Sequence, residues 1–92
     1  MVTAIVMIKA DRKSIPETAQ ALADIEGVAE VYSISGDYDI IAILRVPEYD
    51  QLATLVTQHL LKMPSILATQ THMAFQTYSK HDLESIFTIG EE

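Results

Sequence analysis

Residues 31–46, VYSISGDYDIIAILRV, decide the fold, because two apolar runs meet there at a short polar corner. The second run, residues 40–46, is too short and too rich in β-branched side chains to favour a helix, so both runs are predicted to be strands. Gly36 accepts the positive φ that a tight turn requires, and Asp37 and Asp39 are able to bond nearby backbone amides. The stretch therefore predicts an antiparallel hairpin that carries two carboxylates and a phenol at its end.

Two further strands are predicted on either side of this hairpin. The run from Val2 to Lys9 is apolar on both alternating registers, which is typical of a strand covered on both faces. A long and partly polar strand is predicted from about Ile66 to Tyr78, and the hairpin strands themselves from Val28 to Ser35 and from Asp39 to Val46.

Two helices complete the predicted order. Ser14 and Glu17 have the spacing of a capping box, so the first helix is expected to begin there and to end near Ile25 or Glu26, before a capping Gly27. Leucine and valine recur at helical spacing after Asp50, which is the predicted N-cap of a second helix that continues to Pro64.

The order β-α-β-β-α-β, followed by a short C-terminal helix, predicts an α+β ferredoxin-like fold. Its four-stranded antiparallel sheet carries both helices on one face. Aliphatic side chains on the other face would form a patch too large for a monomer, so we expect two sheets to pack face to face in a dimeric α+β barrel-like sandwich. Residues 1–78 are the expected domain, and residues 79–92 a short helix and acidic tail.

The charge balance argues against several classes of function. Six Lys and Arg against thirteen Asp and Glu give a net charge of −7, which repels phosphate backbones, so direct nucleic-acid binding is not expected. The absence of cysteine excludes disulfides and thiolate zinc sites. The apolar start of the chain lacks a basic flank and is too short to span a bilayer, so we expect no membrane association and a cytoplasmic protein.

The resemblance to a known family rests on segments spread along nearly the whole chain: Gly27-Val28, SGDYDII at 35–41, Pro47 with Asp50, LKMPSI at 61–66, and Thr69 with Thr71. This pattern resembles the ligand-binding RAM domain of the Lrp/AsnC (feast/famine) transcriptional regulators over about residues 1–78. Its most specific part is Gly-Asp-Tyr-Asp followed by an aliphatic strand. Ser65, where the family has Gly, is a departure that affects a turn more than a site.

The resemblance implies a RAM (ACT-like) effector-binding domain that forms a homodimer and then a higher oligomer, an octamer or decamer-like ring. It also implies a small-molecule ligand, typically an amino acid, bound near the contacts between dimers. Because Met1 begins directly on the first strand, we expect a stand-alone RAM protein without a DNA-binding unit, with full-length Lrp/AsnC regulators as further partners. The family's ligand-binding positions map by motif onto Gly36, Asp37, Tyr38, Asp39, Thr69, Gln70 and Thr71.

An amino acid needs acceptors for its ammonium and donors for its carboxylate. Asp37 or Asp39 would accept the ammonium, and backbone amides of the corner with the Thr69 or Thr71 hydroxyl would hold the carboxylate. The alternative is that the corner binds no ligand: both aspartates only cap the turn, and Tyr38 only covers it. Aspartate is common in turns because its side chain bonds nearby backbone amides. On the last strand, either Gln70 with His72 or Thr69 with Thr71 would line a cavity; the alternative is a solvated strand surface or an interface.

No catalytic motif is present, and His59, His72 and His81 lack the spacing of a zinc site, so no metal or cofactor is expected. We therefore predict a non-catalytic effector-binding regulator that modulates transcription through oligomer assembly or partner regulators. The alternative is a dimeric α+β barrel enzyme, monooxygenase- or isomerase-like, with His72 as acid or base; it rests on fold analogy alone. A third possibility, compatible with the first, is an adaptor that co-assembles with a longer DNA-binding relative.

Overall fold

A four-stranded antiparallel sheet with helices on one face forms the fold. The computed structural model describes residues 1–78 and 80. Its strands are β1 (Val2–Ala10), β2 (Val28–Ser33), β3 (Ile40–Val46) and β4 (Ile66–Met73), and its helices are α1 (Ile15–Ala23) and α2 (Tyr49–Leu55). The strand order is β2-β3-β1-β4, which confirms the predicted ferredoxin-like α+β fold. The expected C-terminal helix lies outside the described residues.

The hydrophobic core lies between the helices and one register of the two central strands. Alternate residues of β1 and β3 are buried because successive side chains of a strand point to opposite faces of the sheet. The core residues are Ala4, Val6, Ile8, Ala10, Leu22, Ile40, Ala42, Leu44, Val46, Leu52, Leu55 and Leu60. Since the sheet members of this set share one register, both helices cover the same face, as predicted.

The other register of the central strands forms a face that no helix covers, which we call the open face. Ile5 lies opposite Ile43 and Met7 opposite Ile41 in the pairing of β1 with β3. All four side chains are only partly buried. The sheet therefore presents an aliphatic stripe on its side away from the helices, as the sequence predicts.

The start of α1 differs from the prediction. Ser14 precedes the helix, but its side chain makes no capping hydrogen bond, so the predicted capping box is wrong. Asp11 caps instead: its Oδ1 accepts from the Lys13 amide at 3.1 Å and begins a 3₁₀ turn over Arg12–Ser14. The helix ends at Ala23, two or three residues earlier than predicted.

The second helix also begins differently. Glu48, not Asp50, is the N-cap, and the Gln51 Oε1 atom accepts from the Glu48 amide at 3.1 Å. The helix then widens into a π-helical turn over Val56–Leu60, whose last residue is fully buried. The Leu61 amide accordingly donates five residues back, to the Val56 carbonyl at 3.0 Å.

The last strand is shorter than the predicted run to Tyr78. The pairing of β4 with β1 reaches Met73 opposite Ala4, and the Ala74 amide donates to the Thr3 carbonyl at 3.0 Å. Because β1 begins at Val2, it has almost no backbone left with which residues 75–78 could pair. The strand β2 likewise ends at Ser33, two residues before the predicted end.

Candidate functional site

The corner between β2 and β3 is a closed turn, with Gly36 at a φ of 107°. A Cβ atom added at Gly36 would meet no atom within 4 Å, so the backbone conformation, rather than space, favours glycine there. The Ile34 amide donates to the Asp39 carbonyl at 2.9 Å and closes the loop. The predicted hairpin, and the positive φ at its tip, are confirmed.

Asp39 anchors the corner to the end of β1. Its amide donates to the Ile8 carbonyl at 2.9 Å, and its Oδ2 atom accepts from the Ala10 amide at 3.0 Å. Ala10 is only 3% exposed, so this carboxylate satisfies a donor that water reaches poorly. One carboxylate of the corner therefore has a structural partner, which lies at the end of β1, 29 residues away along the chain, and not in the turn.

Asp37 differs from Asp39 in its surroundings. Its side chain is exposed and accepts no hydrogen bond from any described residue. Asp37 therefore has both carboxylate oxygens open to a ligand, whereas the Oδ2 atom of Asp39 is engaged by the backbone.

Tyr38 connects the corner to the two strands beside it. Its hydroxyl donates to the Gln70 Oε1 atom on β4 at 3.2 Å. The Lys9 ammonium of β1 lies 5.7 Å from the centroid of the Tyr38 ring, which is within the range of a cation–π contact. These contacts place a cation and an amide around the Tyr38 side chain, which lies between the two aspartates in sequence.

The predicted residues of the last strand lie on opposite faces of the sheet. Thr69 and Thr71 pair with the core positions Ile8 and Val6, which places them on the helix side. Gln70 and His72 lie on the open face, and His72 is exposed. The structure therefore brings Gln70, but neither threonine, to the corner; the threonines' role in binding stays a prediction.

A hollow with a volume of about 510 Å³ lies beside the corner, and we call it the corner hollow. Its walls come from the corner, from the connection between β1 and α1, and from the start of β4. The lining residues are Lys9, Ala10, Asp11, Arg12, Lys13, Asp37, Asp39 and Leu67. Three of the six basic residues of the chain are among them.

The three basic side chains of this hollow were not among the residues predicted from sequence. The signal was available, because antiparallel pairing of β1 with β3 places the end of one strand beside the start of the other: Ile8 lies opposite Ile40. The chain that continues beyond Lys9 must therefore pass the corner. The predicted strand pairing thus places the connection that contains Arg12 and Lys13 beside the corner.

A second groove, of about 490 Å³, lies at the other end of the sheet, where β2 begins and β3 ends. Its lining residues are Glu26, Gly27, Arg45, Val46, Pro47, Asp50, Gln51, Thr54, Leu55 and His59. Gly27 has a φ of 98°, and a Cβ atom there would come within 2.5 Å of the Leu55 Cδ1 atom. The floor of this groove thus depends on a glycine packed against α2.

A small polar network lies on the open face near its β2 edge. Glu30 forms an ion pair with Arg45 at 3.4 Å and accepts a hydrogen bond from the Tyr32 hydroxyl. The Tyr32 hydrogen bond, ahead of Arg45, lowers the pKa of Glu30 below its ordinary value. The same hydrogen bond, together with the negative charge of Glu30, raises the pKa of Tyr32.

Residues 1–78 and 80 contain neither a metal-binding cluster nor a membrane-spanning helix. No three His, Asp or Glu side chains in this part of the chain are grouped so that they could hold a metal ion. None of the helices described is both long enough and apolar enough to cross a membrane.

Comparisons with known proteins identify the family. Residues 3–83 match the family described as the Lrp/AsnC ligand binding domain. The uncharacterized HTH-type transcriptional regulator YugG of Bacillus subtilis is 30% identical over 99% of this chain, and another such regulator, from Pyrococcus furiosus, is 34% identical over 80% of it. The chain spans about half the length of these relatives, 55% and 49% respectively.

Solved structures agree with the family match. The protein TTHA0845 from Thermus thermophilus is 35% identical and superposes with a TM-score of 0.80, covering 87% of this chain and all of its own. A Neisseria meningitidis transcriptional regulator, solved as a complex with L-Met, has a TM-score of 0.76 at 14% identity over 85% of this chain and 52% of its own, which shows a shared fold. Together with the family match over residues 3–83, these similarities establish that the chain belongs to the Lrp/AsnC ligand-binding-domain family.

Proposed function

We propose that this chain is a non-catalytic regulatory module that binds an amino acid in the corner hollow and modulates transcription through oligomer assembly or partner regulators. Its relatives named as transcriptional regulators support the regulatory part. The Neisseria neighbour, whose structure contains L-Met, supports an amino acid as the class of effector. Because the net charge is −7, we assign contact with nucleic acid to the partner regulators and not to this domain.

The observation that carries the proposal is that side chains of opposite charge line the same hollow. Asp37 is an exposed carboxylate without a described hydrogen bond, and Lys9, Arg12 and Lys13 line the same space. A free α-amino acid carries an ammonium and a carboxylate on one carbon, so it needs an anionic and a cationic group side by side. The hollow supplies both, on a rigid hairpin and on the connection that Asp39 ties to it.

The open face supports assembly. The Ile5, Met7, Ile41 and Ile43 side chains form an aliphatic stripe that the helices of the same chain do not cover. Packing against a second copy would remove this surface from water. We infer a dimer through this face, with further association of dimers into a ring such as an octamer or decamer.

Catalysis is not part of the proposal. His72, the candidate acid or base of the enzyme alternative, is exposed on the open face and makes no side-chain hydrogen bond with a described residue. A general base normally has an orienting partner, and none is present among the described residues. A regulatory role also agrees with the names of the relatives.

A thermal-shift screen of the twenty amino acids tests the effector. A ligand that binds only the folded protein stabilises it in proportion to the logarithm of its concentration over Kd, so at least one amino acid should raise Tm at millimolar concentration. The Asp37→Asn variant should lose most of that shift, because it removes the partner of the ammonium. If no amino acid changes Tm, the effector proposal is wrong.

Light scattering of Ile43→Asp tests the dimer. Ile43 lies in the middle of the open face, opposite Ile5, so a carboxylate there would be buried without a partner at the interface. We expect the variant to be monomeric at micromolar concentration. Leu61→Asp is the matched control, because Leu61 is 57% exposed and follows the helical segment on the other side of the sheet. A dimer that persists in Ile43→Asp would contradict the proposed interface.

A further inference from the structure

The corner hollow brings half of the basic residues of an acidic chain together with three carboxylates, at positions 11, 37 and 39. Three of the six basic residues, at positions 9, 12 and 13, line it, although the chain as a whole carries −7. The ion pair found among the described residues is that of Arg45 with Glu30, at another place on the sheet. The cations of the hollow are therefore not engaged by carboxylates of the described residues at ion-pair distance.

The carboxylates of the hollow are not equivalent. The Asp39 Oδ2 atom accepts from the Ala10 amide at 3.0 Å, and the Asp11 Oδ1 atom accepts from the Lys13 amide at 3.1 Å. The first bond holds the last residue of β1, and the second holds the connection between β1 and α1. Among the described residues that line the hollow, Asp37 alone is a carboxylate with no such bond, which leaves it uncommitted in a hollow that three cations also line.

An amino acid with a neutral side chain would use only part of this arrangement. Its ammonium would pair with Asp37, and its carboxylate with one cation. Two cations would then remain without a carboxylate at ion-pair distance, because Asp11 and Asp39 in the same walls accept from backbone amides instead. A second carboxylate on the ligand would pair with them, and charge-assisted hydrogen bonds of this type are among the strongest that proteins make.

We propose that the corner hollow selects an α-amino acid whose side chain ends in a second carboxylate. This inference rests on the proposed function and names the class of effector. Lys9 holds the α-carboxylate, because it lines the hollow together with Asp37 and contacts the ring of the next residue, Tyr38, and the two α-groups of the ligand need adjacent partners. Arg12 and Lys13, on the 3₁₀ turn, hold the side-chain carboxylate; the planar guanidinium of Arg12 suits two parallel hydrogen bonds.

The same arrangement disfavours two related classes of ligand. A basic amino acid would bring a second ammonium towards Arg12 and Lys13, where like charges repel. A dicarboxylate without an amino group would leave Asp37 facing a ligand carboxylate. Selectivity then comes from repulsion of the wrong ligand as well as from attraction of the right one.

Isothermal titration calorimetry tests the inference with ligands that differ by single groups. L-Glutamate and L-aspartate are compared with L-glutamine and L-asparagine, which have the same shape without the charge, and with 2-oxoglutarate, which lacks the ammonium. We expect an acidic amino acid to bind about tenfold or more tighter than its amide and than the oxo acid. Raising the salt concentration should weaken its binding more than that of the amide.

Variants test the assigned residues. Arg12→Gln combined with Lys13→Gln should reduce the affinity for the acidic amino acid to that for its amide, while the affinity for the amide stays nearly unchanged. Lys62→Gln is the matched control: Lys62 donates to Gln58 beside the π-helical turn and is not among the residues that line the hollow. Circular dichroism should show the same fold for all variants, because the substituted side chains are exposed.

The outcomes separate the inference from the proposed function. If a neutral or basic amino acid binds as tightly as the acidic ones, the inference is wrong and the effector-binding function stands. If the double variant keeps the wild-type affinity for the acidic amino acid, the assignment of Arg12 and Lys13 is overturned. If no amino acid binds to the wild-type protein, the proposed function itself fails.

Discussion

Replacement of Asp39 by Ala should destabilise the domain, because its carboxylate accepts from a backbone amide that water reaches poorly. The Oδ2 atom lies 3.0 Å from the Ala10 amide nitrogen, and Ala10 is 3% exposed. Truncation removes an ionised acceptor and leaves that donor unpaired. The Asp39 backbone contacts, to the Ile8 carbonyl and from the Ile34 amide, survive the substitution.

The size of the effect depends on that single bond. An unsatisfied buried donor costs about 1–3 kcal/mol, so we expect a loss of about 2 kcal/mol in the free energy of unfolding. For a domain of this size, that corresponds to a fall in Tm of about 8–16 °C. Asp39→Asn keeps an oxygen acceptor without the charge, and should lose about 1 kcal/mol or less.

Urea denaturation followed by circular dichroism measures these differences, at one protein concentration because subunit association adds to the apparent stability. Asp37→Ala is the matched control: its side chain is exposed and accepts no bond from a described residue, so its effect should stay within about 0.5 kcal/mol. The reasoning is refuted if Asp39→Ala is as stable as the wild type, or if Asp37→Ala loses as much as Asp39→Ala.

Three further predictions concern parts of the fold away from the hollow. Gly27→Ala should cost more than Gly36→Ala by about 1–3 kcal/mol in urea denaturation, because both require a positive φ but only at Gly27 would the new Cβ atom collide, 2.5 Å from a leucine side chain. The pKa of Tyr32 is raised, so its phenolate should form above the pH usual for tyrosine. The Glu30→Gln variant should bring that pH back towards the ordinary value, as NMR of the ring protons will show. The stabilisation from the Tyr32–Glu30 hydrogen bond is present below the ordinary pKa of tyrosine and is lost as the pH rises through the raised pKa. Leu22→Ala, at a fully buried position of α1, should lose about 2–5 kcal/mol by the same denaturation assay.

Periodicity predicted the framework of this domain because the framework depends on local patterns. The run at 40–46 is short and rich in β-branched residues, which predicts a strand, and the structure shows it as β3 with alternate residues buried. The ends of elements were less predictable, because they depend on partners elsewhere in the chain. The strand β4 stops near Met73 because β1 begins at Val2, a fact about pairing that no pattern in the residues 74–78 reveals.

The caps show a competition between neighbouring candidates. Ser14 has the sequence signature of an N-cap but makes no capping bond, whereas Asp11, three residues ahead, accepts from the Lys13 amide and begins a 3₁₀ turn. Glu48 similarly precedes the predicted cap Asp50 and exchanges a bond with Gln51. Where two capping residues lie within one turn, the backbone conformation decides between them, and sequence spacing does not report it.

The candidate site was predictable on one side only. The corner of Gly36 to Asp39 is a continuous motif, so its residues were found together. The opposite wall comes from the connection between β1 and α1, which joins the corner through a hydrogen bond between residues 29 positions apart. This wall can be predicted only after the strand pairing is known. The pairing then shows that the basic residues at 9, 12 and 13 line the hollow, which composition alone does not indicate.

The two aspartates of the corner therefore have different functions that are physically linked. Asp39 fixes the backbone at Ala10, and the segment beyond it carries Arg12 and Lys13 into the wall of the hollow. Asp37 faces the same hollow without a backbone partner among the described residues. Loss of Asp37 should lower the ligand affinity and leave the free energy of unfolding nearly unchanged. Loss of Asp39 should lower both, because without its bond to the Ala10 amide the segment that carries Arg12 and Lys13 is no longer held in position. Stability and affinity measured on the same two variants thus distinguish an anchor from a ligand contact.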